Sequence, residues 1–219
     1  MQMTLVPMLK QGLGHTHKAY LWSYSSSEYD EVAAVIYDFA EGRSRHYTRE
    51  FLTGCAGKLV CDDFSGYKAL FKAGRGGTEV GCLAHARRKF DELQKNERSE
   101  LAAEALRHFA ALYNIEREAR ERKLDADGRC RLRQQRSKPL AESLRQWLVR
   151  QRREVEHGTA TAKAIDYSIG RWAALTRHID DGDLPIDNNH LEKRIRPVAL
   201  GRSNWMPARY EPDSALPMS

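Results

Sequence analysis

Two carboxylates stand where phosphodiester chemistry would need them. Asp62 follows the short apolar run Leu59-Val60-Cys61. A strand that ends in a carboxylate places it at the edge of a sheet, beside a loop, within reach of a cation and a substrate. Mg²⁺ prefers such hard oxygen ligands. Two such ions, about 4 Å apart, activate the attacking oxygen and stabilise the leaving one. The same residues also read as a plain turn after a strand. Glu192 lies in the run 185–194 (PIDNNHLEKR). A helix beginning near Asp187 or Asn188 sets Asn188, Asn189 and Glu192 three or four residues apart on neighbouring turns. That face offers a carboxylate for a cation and an amide to steady it. The alternative is a capping box, because Asn189-x-x-Glu192 has that form.

A third group is 82–90 (CLAHARRKF). Cys82 and His85 have ligand-like spacing, but two ligands do not make a zinc site, so packing and hydrogen bonding are expected of them. Arg87, Arg88 and Lys89 sit near a helix start, where the dipole disfavours cations. Phosphate contact would explain them, and so would a solvated face. Further along, arginines recur from Arg117 to Arg153. The part from Arg129 to Lys138, where acidic residues thin out, reads as a nucleic-acid contact to backbone rather than bases.

These side chains need elements to hold them. Residues 18–24 (KAYLWSY) and 31–39 (EVAAVIYDF) read as two antiparallel strands. Residues 48–56 read as a short helix stopped by Gly57. Short strands follow at 58–61 and 78–83. Beyond residue 84 the spacing turns helical, with segments at 84–94, 100–122, 140–155 and 163–178. The inner face of the last is expected to carry Ile165, Ile169, Trp172, Ala173 and Thr176. The Lys138-Pro139 pair marks a break. A last short helix is expected to stop at Arg196, before Pro197. The tail from Pro207 has no apolar period and reads as disordered.

With 219 residues, 41% of them hydrophobic, the chain has room for one substantial domain with an insertion. No apolar run approaches the roughly 20 residues of a membrane span, and residues 1–10 do not form a secretory signal. Cys55, Cys61, Cys82 and Cys130 are irregularly spaced, which argues against a disulfide framework. Cytoplasmic residence is the expectation. A net charge of +6 favours a polyanionic partner.

The stretches 17–22 (HKAYLW), 62–67 (DDFSGY), 82–90 and 185–205 (PIDNNHLEKRIRPVALGRSNW) resemble the insertion sequence 66 family of transposases. The resemblance runs from about Thr4 to Trp205. It implies a bacterial, nucleoid-associated protein with an α/β fold: a ribonuclease H-like mixed sheet, flanking helices and a large all-helical insertion. It implies DNA as partner, both insertion-sequence ends and target, and Mg²⁺ or Mn²⁺ as cofactor in a two-metal Asp-Asp-Glu site. Asp62 matches the family's second Asp and Glu192 its Glu, as catalytic and metal-holding residues. His85, Arg87, Arg88, Lys89, Asn188, Asn189, Arg194 and Arg196 are expected to contact DNA or support the site. The expected layout is a core at 1–90, the helical insertion at 91–179, the core's return at 180–206 and an unrelated tail at 207–219. Gln2 falls where the family has its first Asp, and Asp63 replaces a usual Gly. A truncated copy with impaired cutting is therefore expected, self-associating or assembling with full-length transposase. Two alternatives stay open: a non-catalytic DNA-binding or assembly remnant, and an unstable pseudogene product.

Overall fold

The computed structural model describes residues 2–9, 16–42, 44–63, 67–68, 71, 77–201 and 208–209. Its architecture is mixed α/β. Strands β1 (Gln2–Leu9), β2 (Thr16–Ser25) and β3 (Val35–Ala40) form an antiparallel meander. The short β6 (Ala208–Arg209) lies parallel to β1, giving the order β3-β2-β1-β6. On β2, Trp22 and Tyr24 point to one face, as the period of two requires. They pack with Ala40, Leu52, Cys61 and Tyr67. Helix α1 (Arg45–Leu52) supplies Leu52 and is capped by the Ser44 hydroxyl, which accepts from the His46 amide.

The parallel pair β4 (Lys58–Cys61) and β5 (Thr78–Gly81) forms its own sheet. Among the described residues it is not hydrogen-bonded to the first sheet, whereas the sequence reading expected one mixed sheet. Packing bridges the two, because Cys61 at the end of β4 is buried in the Trp22 core.

The helices are α2 (Leu83–Glu97), α3 (Glu100–Glu121), α4 (Ala126–Leu132), α5 (Lys138–Glu154), α6 (Ala160–Gly170), α7 (Trp172–Thr176) and α8 (Asn189–Gly201). Phe90, Phe109, Leu144, Leu148 and Ile165 meet in one core with Ile186, which lies just before α8. The expected boundary after residue 90 falls inside α2, whose Phe90 and Leu93 belong to this core. None of the described helices is long and apolar enough to cross a membrane.

Several element boundaries differ from expectation. The bend at residues 31–34 delays β3 to Val35, and α1 begins three residues before Thr48. Lys138-Pro139 is no break. The chain passes through a π-helical turn, Arg133–Ser137, into α5, and Pro139 occupies its first turn. There the missing N–H costs little. The expected helix at 163–178 is interrupted at Arg171. The interruption rotates the following turn, so Ala174 and Leu175 are buried and Ala173 is exposed. Helix α8 continues through Pro197 to Gly201. Its buried Leu191 and Ile195 anchor it where it packs on β1 and β2. Of the expected disordered tail, only 208–209 lie within the described residues, and these are strand.

Candidate active site

The site is assembled where β4, α2 and α8 converge. Asp62 leaves the end of β4. Beside it, β5 runs through Cys82 into α2, and the Cys82 amide extends the ladder to the Cys61 carbonyl at 3.2 Å. The loop before α8 is fastened to this corner three times. The Leu83 amide donates to the Ile186 carbonyl at 3.1 Å. The Cys82 thiol donates to Asn188 Oδ1 at 3.0 Å. The Tyr113 hydroxyl, reaching from α3, donates to Asp187 Oδ2 at 2.7 Å.

Asp187 then starts α8. Its Oδ1 accepts from the Asn189 amide at 2.9 Å, and its Oδ2 from the Asn189 side chain at 2.7 Å. The capping box considered between Asn189 and Glu192 is therefore not the arrangement found. Glu192 turns toward α2 instead. Its Oε2 accepts from Arg88 Nη2 at 3.0 Å, and its Oε1 lies 3.6 Å from His85 Nε2. Burial lowers the His85 pKa below its ordinary value, and Arg88 and Lys89 push the same way; Glu192 and Asp62 oppose the shift. A neutral imidazole thus stands within the field of both carboxylates. Its Nδ1 is buried without a hydrogen-bond partner.

A family model described as "Transposase IS66 family" matches residues 3–214. The chain belongs to the IS66 transposase family. The match continues past Trp205, where the sequence reading ended the likeness. The uncharacterized protein y4qI of Sinorhizobium fredii (strain NBRC 101917 / NGR234) is 35% identical over 95% of this chain and 40% of its own length. Two more uncharacterized proteins of that strain, y4hP and y4jD, are each 34% identical, over 79% and 93% of this chain and 34% and 41% of their own lengths. The chain thus spans about two fifths or less of these curated relatives. No solved structure matches.

In this IS66-family chain, Asp63 is engaged by basic side chains. It pairs with Arg171 and, at 2.8 Å, with Lys68. Arg171 also reaches Glu79 at 2.9 Å. Lys89, expected at phosphate, lies over the Tyr167 ring at 4.5 Å. Arg171 escaped the sequence reading because it sits at a helix interruption that no spacing revealed. Arg87 is exposed on α2, and Arg194 and Arg196 are exposed on α8.

Cys82 behaves as expected of a packed thiol. Burial pushes its pKa up to about 11, which disfavours the thiolate a metal would need. The run from Arg129 to Lys138 is turned inward in part. Arg133 is fully buried against Glu116, with further bonds to the His178, Asp181 and Leu184 carbonyls. Arg129 donates to the Gly182 and Leu124 carbonyls and stacks on Tyr29, and Arg136 pairs with Glu118. Arg129 and Arg133 thus tie helices to the turn at 178–184, which corrects the expected phosphate contact at these two, while Arg131, Arg136 and Lys138 are exposed.

Asp62 and Glu192 are hard oxygen donors suited to Mg²⁺ or Mn²⁺. Arg88 marks the place at Glu192 where positive charge is already favoured. Among the described residues no cluster of three or more His, Cys, Asp or Glu could hold a metal ion. Gln2 pairs with Ser23 across β1 and β2, and its side chain lies outside the described residues.

Proposed function

We propose that this chain is the catalytic-domain part of a DNA transposase with a ribonuclease H-like core, acting at insertion-sequence ends. The observation that carries the reading is Glu192 set against His85 at 3.6 Å, with Asp62 at the end of β4 near enough to act on the same imidazole, within a chain of a transposase family. The antiparallel β1–β3 meander followed by the parallel β4–β5 pair supports the fold assignment.

Asp62 and Glu192 would hold the divalent ion. When bound, it supplies charge that activates an attacking water or 3′ hydroxyl and stabilises the leaving oxygen. The chain's own residues do the rest. Asn188 and Asp187 fix the start of α8 and so the position of Glu192. Arg88 neutralises and orients Glu192. His85, partly buried and with its pKa lowered by burial, sets a polar, uncharged imidazole beside Glu192. Gln2 in the place of an Asp removes one negative ligand, so cutting is expected to be weak.

Labelled transposon-end DNA incubated with Mg²⁺ or Mn²⁺ tests this. Weak nicking or strand transfer that Glu192→Gln abolishes and Gln2→Asp strengthens is the expected result. Absence of cutting in both the chain and Gln2→Asp would refute it. A second reading, a DNA-binding or assembly remnant that modulates full-length transposase, is favoured by Gln2 alone. It predicts binding with steep salt dependence and no cutting in any of the three proteins. An unstable product would lack a cooperative thermal melt.

A further inference from the structure

Beside the first turn of α8, a cleft of about 460 Å³ opens between α2 and α3. Its walls are mostly polar. Arg87 and Arg88 come from α2, Asn114 and Arg117 from α3, and Asn189 from α8. Asp91 is the acidic residue in this lining, and it is paired with Lys95 at 2.7 Å. Three guanidinium groups therefore face one space whose acid is already engaged elsewhere.

Arg88 is paired with Glu192, but the other two cations are not explained by an ion pair. Arg117 donates to Asn114 at 2.7 Å, a neutral partner that orients the guanidinium without cancelling its charge. Arg87 is exposed, and neither it nor Arg117 forms an ion pair among the described residues. Helix α2 also has no acidic residue in its first turn, so nothing there offsets Arg87 toward the positive end of its dipole. An anion in the cleft removes that penalty. Planar guanidinium groups suit phosphate oxygens, which they meet in pairs of parallel bonds.

We propose that this cleft seats the phosphodiester backbone of a DNA strand, with Arg87 and Arg117 on its phosphates and Arg88 shared between that strand and Glu192. The proposal rests on the reading that the chain acts on DNA. It adds that the helical segment, through Arg117 of α3, is part of the DNA interface. Contacts of this kind position a strand without reading its sequence. The strand would pass directly beside Glu192, because Arg88 borders the cleft and bonds that carboxylate.

The test is fluorescence anisotropy of a labelled DNA duplex of arbitrary sequence with the full 219-residue chain, without divalent metal, across a NaCl series. Each phosphate contact contributes about 0.9 to the slope of log K against log salt. Arg87→Ala/Arg117→Ala should lower that slope by about 2 and weaken binding at least tenfold at low salt. Arg87→Lys/Arg117→Lys should keep most of the slope, since the charge remains. Both side chains are exposed, so an unchanged thermal melt verifies the fold. A double alanine variant with the wild-type slope overturns the proposal, as does a wild-type chain that binds no duplex. Glu192→Gln separates the two readings: it removes a carboxylate from beside Arg88, so it should bind DNA no more weakly than wild type while losing cutting. If cutting proves independent of Glu192 while the alanine variant loses its slope, the active-site reading fails and the cleft stands.

Discussion

Arg133 and Glu116 form a two-pronged ion pair inside the protein, Nε to Oε1 at 2.8 Å and Nη2 to Oε2 at 2.7 Å, with the two side chains 0% and 2% exposed. The remaining guanidinium nitrogen, Nη1, donates to three carbonyls of the turn at 178–184. One residue therefore joins α3, the π-helical turn and the segment that leads to the Glu192 helix. Removing either partner leaves a buried charge alone. Arg133→Ala or Glu116→Ala should each cost about 3–5 kcal/mol in urea unfolding. The paired change Arg133→Met/Glu116→Leu should cost clearly less than the two singles together, since it leaves no orphan charge. Additive losses would contradict a coupled pair.

His178 adds a pH dependence to the same turn. It is fully buried, and burial with the nearby Arg133 charge lowers its pKa from 6.5 to about 4. Its Nδ1 donates to the Leu175 carbonyl at 2.9 Å, which fixes the neutral tautomer. Between these two values the unfolded chain binds the proton and the folded chain does not. Stability is therefore complete above the unfolded value and falls as pH drops from 6.5 toward 4. The loss should reach about 3 kcal/mol near the lower end. Urea midpoints measured across that range check it, and His178→Asn should flatten the slope. A wild-type decline confined to pH below 4 would point to carboxylates instead.

The sequence made some of this visible and hid the rest for physical reasons. Helices α2, α3 and α5 have apolar residues at helical spacing, and their cores appear where the period puts them, at Phe90, Phe109 and Leu144. The placements of Asp62 at a strand end and Glu192 in a helix's first turn were legible, because each follows a local signal. Partner choice was not legible. Nothing in the order of residues says that Arg133 turns inward to Glu116 while Arg87 and Arg117 stay outside. That outcome depends on which helix faces meet, a long-range fact. Proline signals failed for a related reason. Pro139 falls in a helix's first turn, where the missing N–H costs little, and at Pro197 the packing of Leu191 and Ile195 outweighs the local cost.

Arg171 is the positioning residue for the loop that carries Asp62. It is 8% exposed and binds both Asp63 and Glu79. Arg171→Ala should destabilise the chain by about 1–3 kcal/mol, since two partly buried carboxylates lose a partner. Arg171→Lys keeps the charge but not the two-pronged geometry, so an intermediate loss is expected. Differential scanning fluorimetry of both variants checks the ranking. Divalent-ion binding, followed by Mn²⁺ electron paramagnetic resonance, should weaken in Arg171→Ala even where the fold survives. Equal melts for all three proteins would remove Arg171 from this role.

Tyr113 tests whether Glu192 is placed from a distance. Its hydroxyl donates to Asp187, and Asp187 in turn holds the first amide of α8. Burial and the Asp187 charge both raise the Tyr113 pKa, so the hydroxyl stays protonated and donating across the working range. Tyr113→Phe removes that one donor and keeps the ring. A hydrogen bond to a charged group is worth about 1.5–3 kcal/mol, and that is the expected loss in stability. Asp187→Asn should cost a similar amount, because the remaining oxygen can still accept from Asn189 but no longer carries charge toward Tyr113. Combined, the two changes should cost little more than either alone, as both break one contact. In the cutting assay the two single variants should lower the rate at saturating DNA while leaving the salt slope of binding unchanged. That combination separates a helix that has shifted Glu192 from one that has lost its grip on DNA. A double variant whose losses simply add would mean that Tyr113 and Asp187 act independently, and that α8 is fixed by Cys82 and Asn188 instead.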